Sequence, residues 1–189
     1  MSEQKTFAIP KTFHSDANAR PFTNCKVCTV DLTSSAIPYT VEKAYRKQPD
    51  GSKLTLFEIA ICLPCAKKQA EQMSPESQTF LQQTLMTEEV LQKRQKLWES
   101  EWQDKWDENC LFSNTRVNAL EEYHVVGHFQ NGKVIPGQVP FVIGETMLEY
   151  LQEHLSQSTK DAFDDFGKRH LGPDPTIAKL LEDYQFMLV

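Results

Sequence analysis

Residues 25–28 read Cys25-Lys-Val-Cys28 and residues 62–65 read Cys62-Leu-Pro-Cys65, and what lies between them decides the fold. The inner stretch holds Tyr39-Thr-Val41-Glu-Lys43-Ala-Tyr45, then Gln48-Pro49-Asp50-Gly51-Ser52, then KLTLFEIAI over 53–61. The first piece alternates, with Tyr39, Val41 and Tyr45 on one face, as a half-buried strand does. In the second, Pro presets φ and Asp-Gly accepts left-handed backbone, which is turn chemistry. The third reads as the returning strand of a β-hairpin. Residues 66–73 (AKKQAEQM) follow at once and are good helix formers.

Two residues between thiolates let both sulfurs of a pair turn inward onto one tetrahedral ion at about 2.3 Å, and two such pairs complete a closed four-cysteine shell. A hairpin between the pairs folds back and brings them together. Three other readings stand beside this one. Dithiol redox motifs come singly and beside a βαβ pattern, which this sequence lacks. Iron fits the same four thiolates, because tetrahedral sulfur sites accept either metal. Ordinary buried cysteines would not repeat the paired spacing twice. A closed shell leaves no position for water, so the metal's expected role is to hold the fold. A lobe this small buries little apolar area, and residues 20–73 are expected to unfold without their ion.

The order C-x-x-C, hairpin, C-x-x-C, helix, with Cys62 and Cys65 at the start of the helix, resembles the treble-clef zinc fingers over residues 25–73. The zinc ribbon is the near neighbour, in which the second pair sits on another hairpin. The resemblance implies one structural zinc ion per chain, held by Cys25, Cys28, Cys62 and Cys65. Thr29 and Ala66 stand where such knuckles often carry Gly. Members of the group bind nucleic acid, proteins or lipids, so the resemblance implies fold and metal rather than function.

Beyond the finger, Ser74-Pro75 is an N-cap followed by Pro at the first helical position. From 74 to about 110 the pattern is helical, with Phe80, Leu81, Leu85, Leu91, Leu97, Trp98, Trp102 and Trp106 at steps of three, four or seven. Thr87-Glu88-Glu89 offers a second cap, which would split this run into two helices. Asn131-Gly132 joins 123–129 to 134–143 as a second hairpin, with Pro136, Gly137 and Pro140 making its return strand bent or an edge. Three short helices follow over 145–155, 158–170 and 175–188. The expected architecture is α+β: a treble-clef-like lobe over 1–74 with a disordered or loosely packed start, a Trp-bearing helical connector over 75–120, and an acidic hairpin-plus-helices lobe over 121–189.

Of 189 residues, 40% are hydrophobic and 24% charged, with a net charge of -6 and a mean hydropathy of -0.49. Residues 1–75 carry 10 Lys+Arg against 7 Asp+Glu, and residues 76–189 carry 10 against 19, so a +3 part precedes a -9 part. No run of 18 apolar residues and no apolar leader is present, which points to a cytoplasmic protein with no membrane contact.

Candidate contact residues divide into two groups. Lys43, Arg46, Lys47, Lys53, Lys67 and Lys68, with Tyr39, Tyr45 and Phe57, are the only grouping suited to nucleic acid, and the acidic balance opposes that partner. Trp98, Trp102 and Trp106 advance about 40° per step around a helix, as core packing or as a face for a protein partner. Cys110 reads as a small buried hydrophobe, since Asp107 and Glu108 oppose a thiolate. His124 and His128 share a strand face but stand about 13 Å apart, too far to chelate one ion unaided. No nucleophile elbow, P-loop, dinucleotide fingerprint or H-E-x-x-H motif occurs. The expected function is that of a zinc-stabilised, non-enzymatic interaction or adaptor protein with a protein partner. A nucleic-acid-associated regulator using the basic lobe is the alternative, and an enzyme with its site between lobes is the third reading.

Overall fold

A computed structural model describes residues 6–34, 36–100, 103 and 105–171. Among these the chain is α+β, with a five-stranded antiparallel sheet and five α-helices. Strands β1 (Tyr39–Lys47) and β2 (Lys53–Cys62) form the first hairpin, in register from Tyr39 opposite Cys62 to Lys47 opposite Lys53, with a bulge at Ala44/Tyr45. Its turn closes as the residue types require: Gly51 has φ +83, and Asp50 Oδ1 accepts from the Ser52 amide at 2.9 Å.

The second edge of β1 is where expectation and structure part. Strand β3 (Glu122–Gln130) pairs with β1 from Tyr39 opposite Phe129 to Arg46 opposite Glu122. The cysteine-flanked hairpin and the later hairpin therefore share one sheet, and β1 lies in its interior with Tyr39 through Tyr45 buried without interruption. A strand flanked on both edges and covered on both faces keeps its alternation in sequence but not in burial. The expected return strand at 134–143 is two pieces, β4 (Lys133–Val134) and β5 (Phe141–Gly144), both on β3. Pro136 and Pro140 interrupt it, with Gly137 between them at φ +76. Asn131 and Gly132, at φ +52 and +71, make the turn their residue types favour.

Helix α1 (Leu63–Ala70) leaves β2 directly. Helices α2 (Pro75–Leu85) and α3 (Glu88–Glu99) start on Ser74 and Thr87, whose hydroxyls accept from Ser77 N at 3.2 Å and Val90 N at 3.3 Å. Two helices thus replace one, as the second cap signalled, but α3 ends at Glu99 and does not run on to 110. Helices α4 (Glu145–His154) and α5 (Gln157–His170) close the described chain, and the helix read over 175–188 lies outside it. The caps of α2 and α5 share hydroxyls: Ser156 N donates to Ser77 Oγ at 3.0 Å, and Ser74 N donates to Thr159 Oγ1 at 2.9 Å.

The core has two parts. One packs Phe13, Leu32 and Trp106 against Tyr39, Val41, Val125 and Phe129 of the sheet. The other packs Leu85, Val90, Leu151 and Leu111 over Val126, Phe141 and Ile143.

Candidate metal centre

Cys25 and Cys28 sit in a tight knuckle. Cys25 N donates to Val30 O and Thr29 N to Cys25 O, each at 2.9 Å, and Asn24 bridges Asp31 beside them. Thr29 takes φ +61, the left-handed backbone that a glycine would adopt freely. Lys26 N donates to Ala60 O at 2.9 Å, which docks the knuckle on β2. Cys62 ends β2 and caps α1 with extended backbone (φ -70, ψ 150), and Cys65 enters the first helical turn. Both positions follow from local sequence: the strand ends at Cys62, and Pro64 belongs in a first helical turn.

The four sulfurs lie within 4.8 Å of one another, and Cys28 Sγ is 3.7 Å from Cys62 Sγ. A tetrahedron with arms of about 2.3 Å has edges of about 3.8 Å, so this spacing suits one shared ion. A disulfide would need about 2.05 Å. Three of the four thiols are buried and Cys28 is exposed. The Cys62 amide donates to Cys25 Sγ at 3.4 Å, the kind of N–H···S contact that steadies a thiolate. The Val30 amide draws the Cys28 thiol down to about 7, whereas burial pushes Cys62 and Cys65 up. Crowding four thiols together disfavours their collective ionisation, and a bound dication reverses that balance by taking the place of the protons. The donor set therefore fits a soft tetrahedral metal.

The remaining sequence candidates scatter. Lys43 is 1% exposed, with Nζ bonded to Asp16, to Glu58 at 3.0 Å and to His14 O at 2.9 Å. It is a buried anchor for the segment around residue 14, out of reach of a phosphate. Arg46 pairs with Glu122, Lys47 donates to Asn118 O at 3.0 Å, and Lys53 lies 4.2 Å from the Tyr45 ring centroid. These stand at the far end of β1 from Cys62, eight strand steps or about 26 Å along it. Lys67 and Lys68, on α1 at the metal end, are exposed, so the six named cations do not form one patch. Tyr39, Tyr45 and Phe57 are all buried and present no stacking face.

Trp106 is buried and stacks on Phe13 with ring centroids 5.2 Å apart, while Trp98 is half-buried and meets Phe7 edge-on at 5.1 Å. The helical stripe does not continue past Glu99, where α3 ends, and Trp102 lies outside the described residues. Cys110 is buried and its Sγ accepts from Gly144 N at 3.4 Å, a packing role. His124 Nδ1 contacts Glu42 Oε1 at 2.7 Å with both side chains fully buried, and His128 Nδ1 contacts Thr40 Oγ1 at 3.0 Å. Sequence reasoning misses Glu42, Thr40 and Arg94; polar residues at alternate positions of an otherwise apolar strand are the available signal for the first two.

No protein-family model matches the chain, and neither curated proteins nor solved structures show significant similarity to it. No helix among the described residues is long and apolar enough to cross a membrane.

Proposed function

We propose that this chain is a zinc protein of the treble-clef type, with one structural zinc ion held by Cys25, Cys28, Cys62 and Cys65, and that it serves as a non-enzymatic interaction or adaptor protein. The observation that carries the metal reading is the clustering of four sulfurs within 4.8 Å, contributed by a knuckle and a helix start on either side of a hairpin. The treble-clef reading is supported by the placement of Cys65 on α1 rather than on a second hairpin. Zinc is preferred to iron because a closed four-sulfur shell with no open position serves folding, which a redox-inert ion does without side chemistry. The adaptor reading draws on exposed apolar side chains at Leu63, Met86 and Leu91, which lie on or beside helices that cover the sheet.

Elemental analysis of the purified protein tests the reading. About one zinc per chain is expected, with loss of both zinc and fold in Cys25→Ser. Iron in stoichiometric amount, or a metal-free protein that is equally folded, would overturn it. Steep salt-dependent retention on single-stranded RNA would favour the regulator alternative over the adaptor, with Lys67 and Lys68 as its first contacts.

A further inference from the structure

A cavity of about 380 Å3 opens between the helix-bearing face of the sheet and helices α1 to α3. Leu85, Phe112 and Phe141 form apolar walls, and Leu63 and Met86, 40% and 46% exposed, stand at its rim. The volume falls toward the lower end of ligand sites, about 300–1,000 Å3.

One charged side chain lines this space. Arg94, on α3, is 9% exposed, and its guanidinium lies 5.0 Å from the Phe141 ring centroid. Nη2 donates to Gln138 Oε1 at 2.7 Å and to Val139 O at 3.4 Å. Nε is buried with no hydrogen-bond partner. Among the described residues no carboxylate pairs with Arg94, and none lines the cavity. His128 shares the wall, and burial together with the Arg94 cation lowers its pKa to about 4, so it adds no charge at neutral pH.

A buried guanidinium without a counter-ion is unfavourable, because neutral carbonyls replace only part of its lost hydration. An incoming anion restores what is missing, and a planar carboxylate matches the guanidinium fork. A phosphate dianion would bring a second charge into apolar walls with no second cation to meet it. The apolar lining calls for an apolar body attached to the acid.

We propose that this cavity binds a small monocarboxylic acid with an apolar body, its carboxylate meeting Arg94 and its chain lying against Leu85, Phe112 and Phe141. The site is additional to the metal centre and requires only the folded protein, since α1 carries Cys65 toward the metal and Leu63 toward the cavity rim. It makes the chain a carrier or sensor of such acids, with Leu63 and Met86 at the entrance.

Titration calorimetry of the metal-loaded full chain at pH 7 tests this with octanoate, 1-octanol and octylammonium as probes of equal length. Octanoate is expected to bind one per chain, with 1-octanol weaker on the order of 10- to 150-fold, the range for a hydrogen bond to a charged group, and octylammonium weaker still. Arg94→Met should bring octanoate down to the level of 1-octanol while leaving 1-octanol unchanged, and amide shifts on octanoate binding should centre on Met86 and Phe112. Equal affinity for octanoate and 1-octanol in the unsubstituted protein would overturn the proposal whether or not the variant folds. So would the absence of octanoate binding, or undiminished octanoate affinity in Arg94→Met. Nuclear Overhauser contacts from residues 172–189 to Met86 or Phe112 that octanoate leaves in place would assign the cavity to the chain itself and would equally overturn it.

Discussion

Withdrawing the metal should unfold more than the finger. Structural zinc supplies apparent binding energy of about 10–16 kcal/mol at neutral pH, against about 5–15 kcal/mol for the net stability of a whole domain. Losing the first therefore removes most or all of the second. The route of the damage follows from the sheet. Cys25 and Cys62 are each 1% exposed and belong to the same core cluster as Leu32, Tyr39, Val41 and Phe129. Freeing the knuckle strips its Lys26–Ala60 hydrogen bond from β2, β2 is paired with β1 along its length, and β1 is the partner of β3 over eight residue pairs. Without it β3 keeps only the two-residue β4 and the four-residue β5. Hydrogen exchange across a chelator titration, with released metal measured in parallel, tests this. Amides of Val125 and Val126 should lose protection at the same chelator concentration as those of Val41 and Ile59, and added zinc should restore all four together. Protection of Val125 and Val126 that survives full metal release would show that metal and sheet are energetically separate, and would refute the reasoning.

Gly127 is hemmed in by the aromatic cluster: a Cβ there would come within 2.5 Å of Phe129 Cζ and 2.9 Å of Phe13 Cζ. Both rings are buried and held by Trp106 and Tyr39, so Gly127→Ala should cost about 1–3 kcal/mol as overpacking. Differential scanning calorimetry should register this as a fall in Tm of roughly 2–12 °C, and an unchanged Tm would mean that the rings yield. His128 sets a pH slope. Its folded pKa of about 4 lies below the unfolded value of 6.5, with burial the larger cause and Arg94 the smaller. Its contribution is fully present above pH 6.5 and fades as pH falls toward 4, because the unfolded chain takes up a proton that the folded one refuses. Between pH 6.5 and 5.5 the loss is about 1 kcal/mol, read by urea titration at saturating zinc. His128→Gln should flatten the slope by that amount, and parallel slopes for the two proteins would count against the assignment.

The four-cysteine cluster, the first hairpin and the starts of α2 and α3 are legible because each is written locally, in a two-residue cysteine spacing, a Pro-Asp-Gly turn or a hydroxyl three residues ahead of an amide. The pairing of β1 with β3 is not. It joins residues about 80 apart, and nothing within Tyr39 to Tyr45 distinguishes a strand with one neighbour from a strand with two. Lys43 is hidden as well, a lysine that looks solvated until Asp16 arrives from 27 residues upstream to join the Glu58 that the hairpin places opposite it. Arg94 follows the polar spacing of an exposed helix face, and only the packing of α3 beside Gln138 and Phe141 buries it. The tryptophan spacing keeps helical periodicity after α3 itself has ended at Glu99, and Trp106 stacks on Phe13 from outside that helix.

The central position of β1 bears on how the chain is made. All four cysteines of the cluster and both strands of the first hairpin have been synthesised by residue 65, so the proposed metal site can close early. Strand β3 is complete only at Gln130, and at about 5–20 residues per second several seconds separate the two events. Throughout that interval the outer edge of β1 offers an open ladder of amides and carbonyls beside apolar side chains, the feature by which nascent chains pair with one another. Early zinc capture would make that edge more ordered and hence more adhesive, so the yield of soluble protein should depend on the timing of metal supply as well as on its amount.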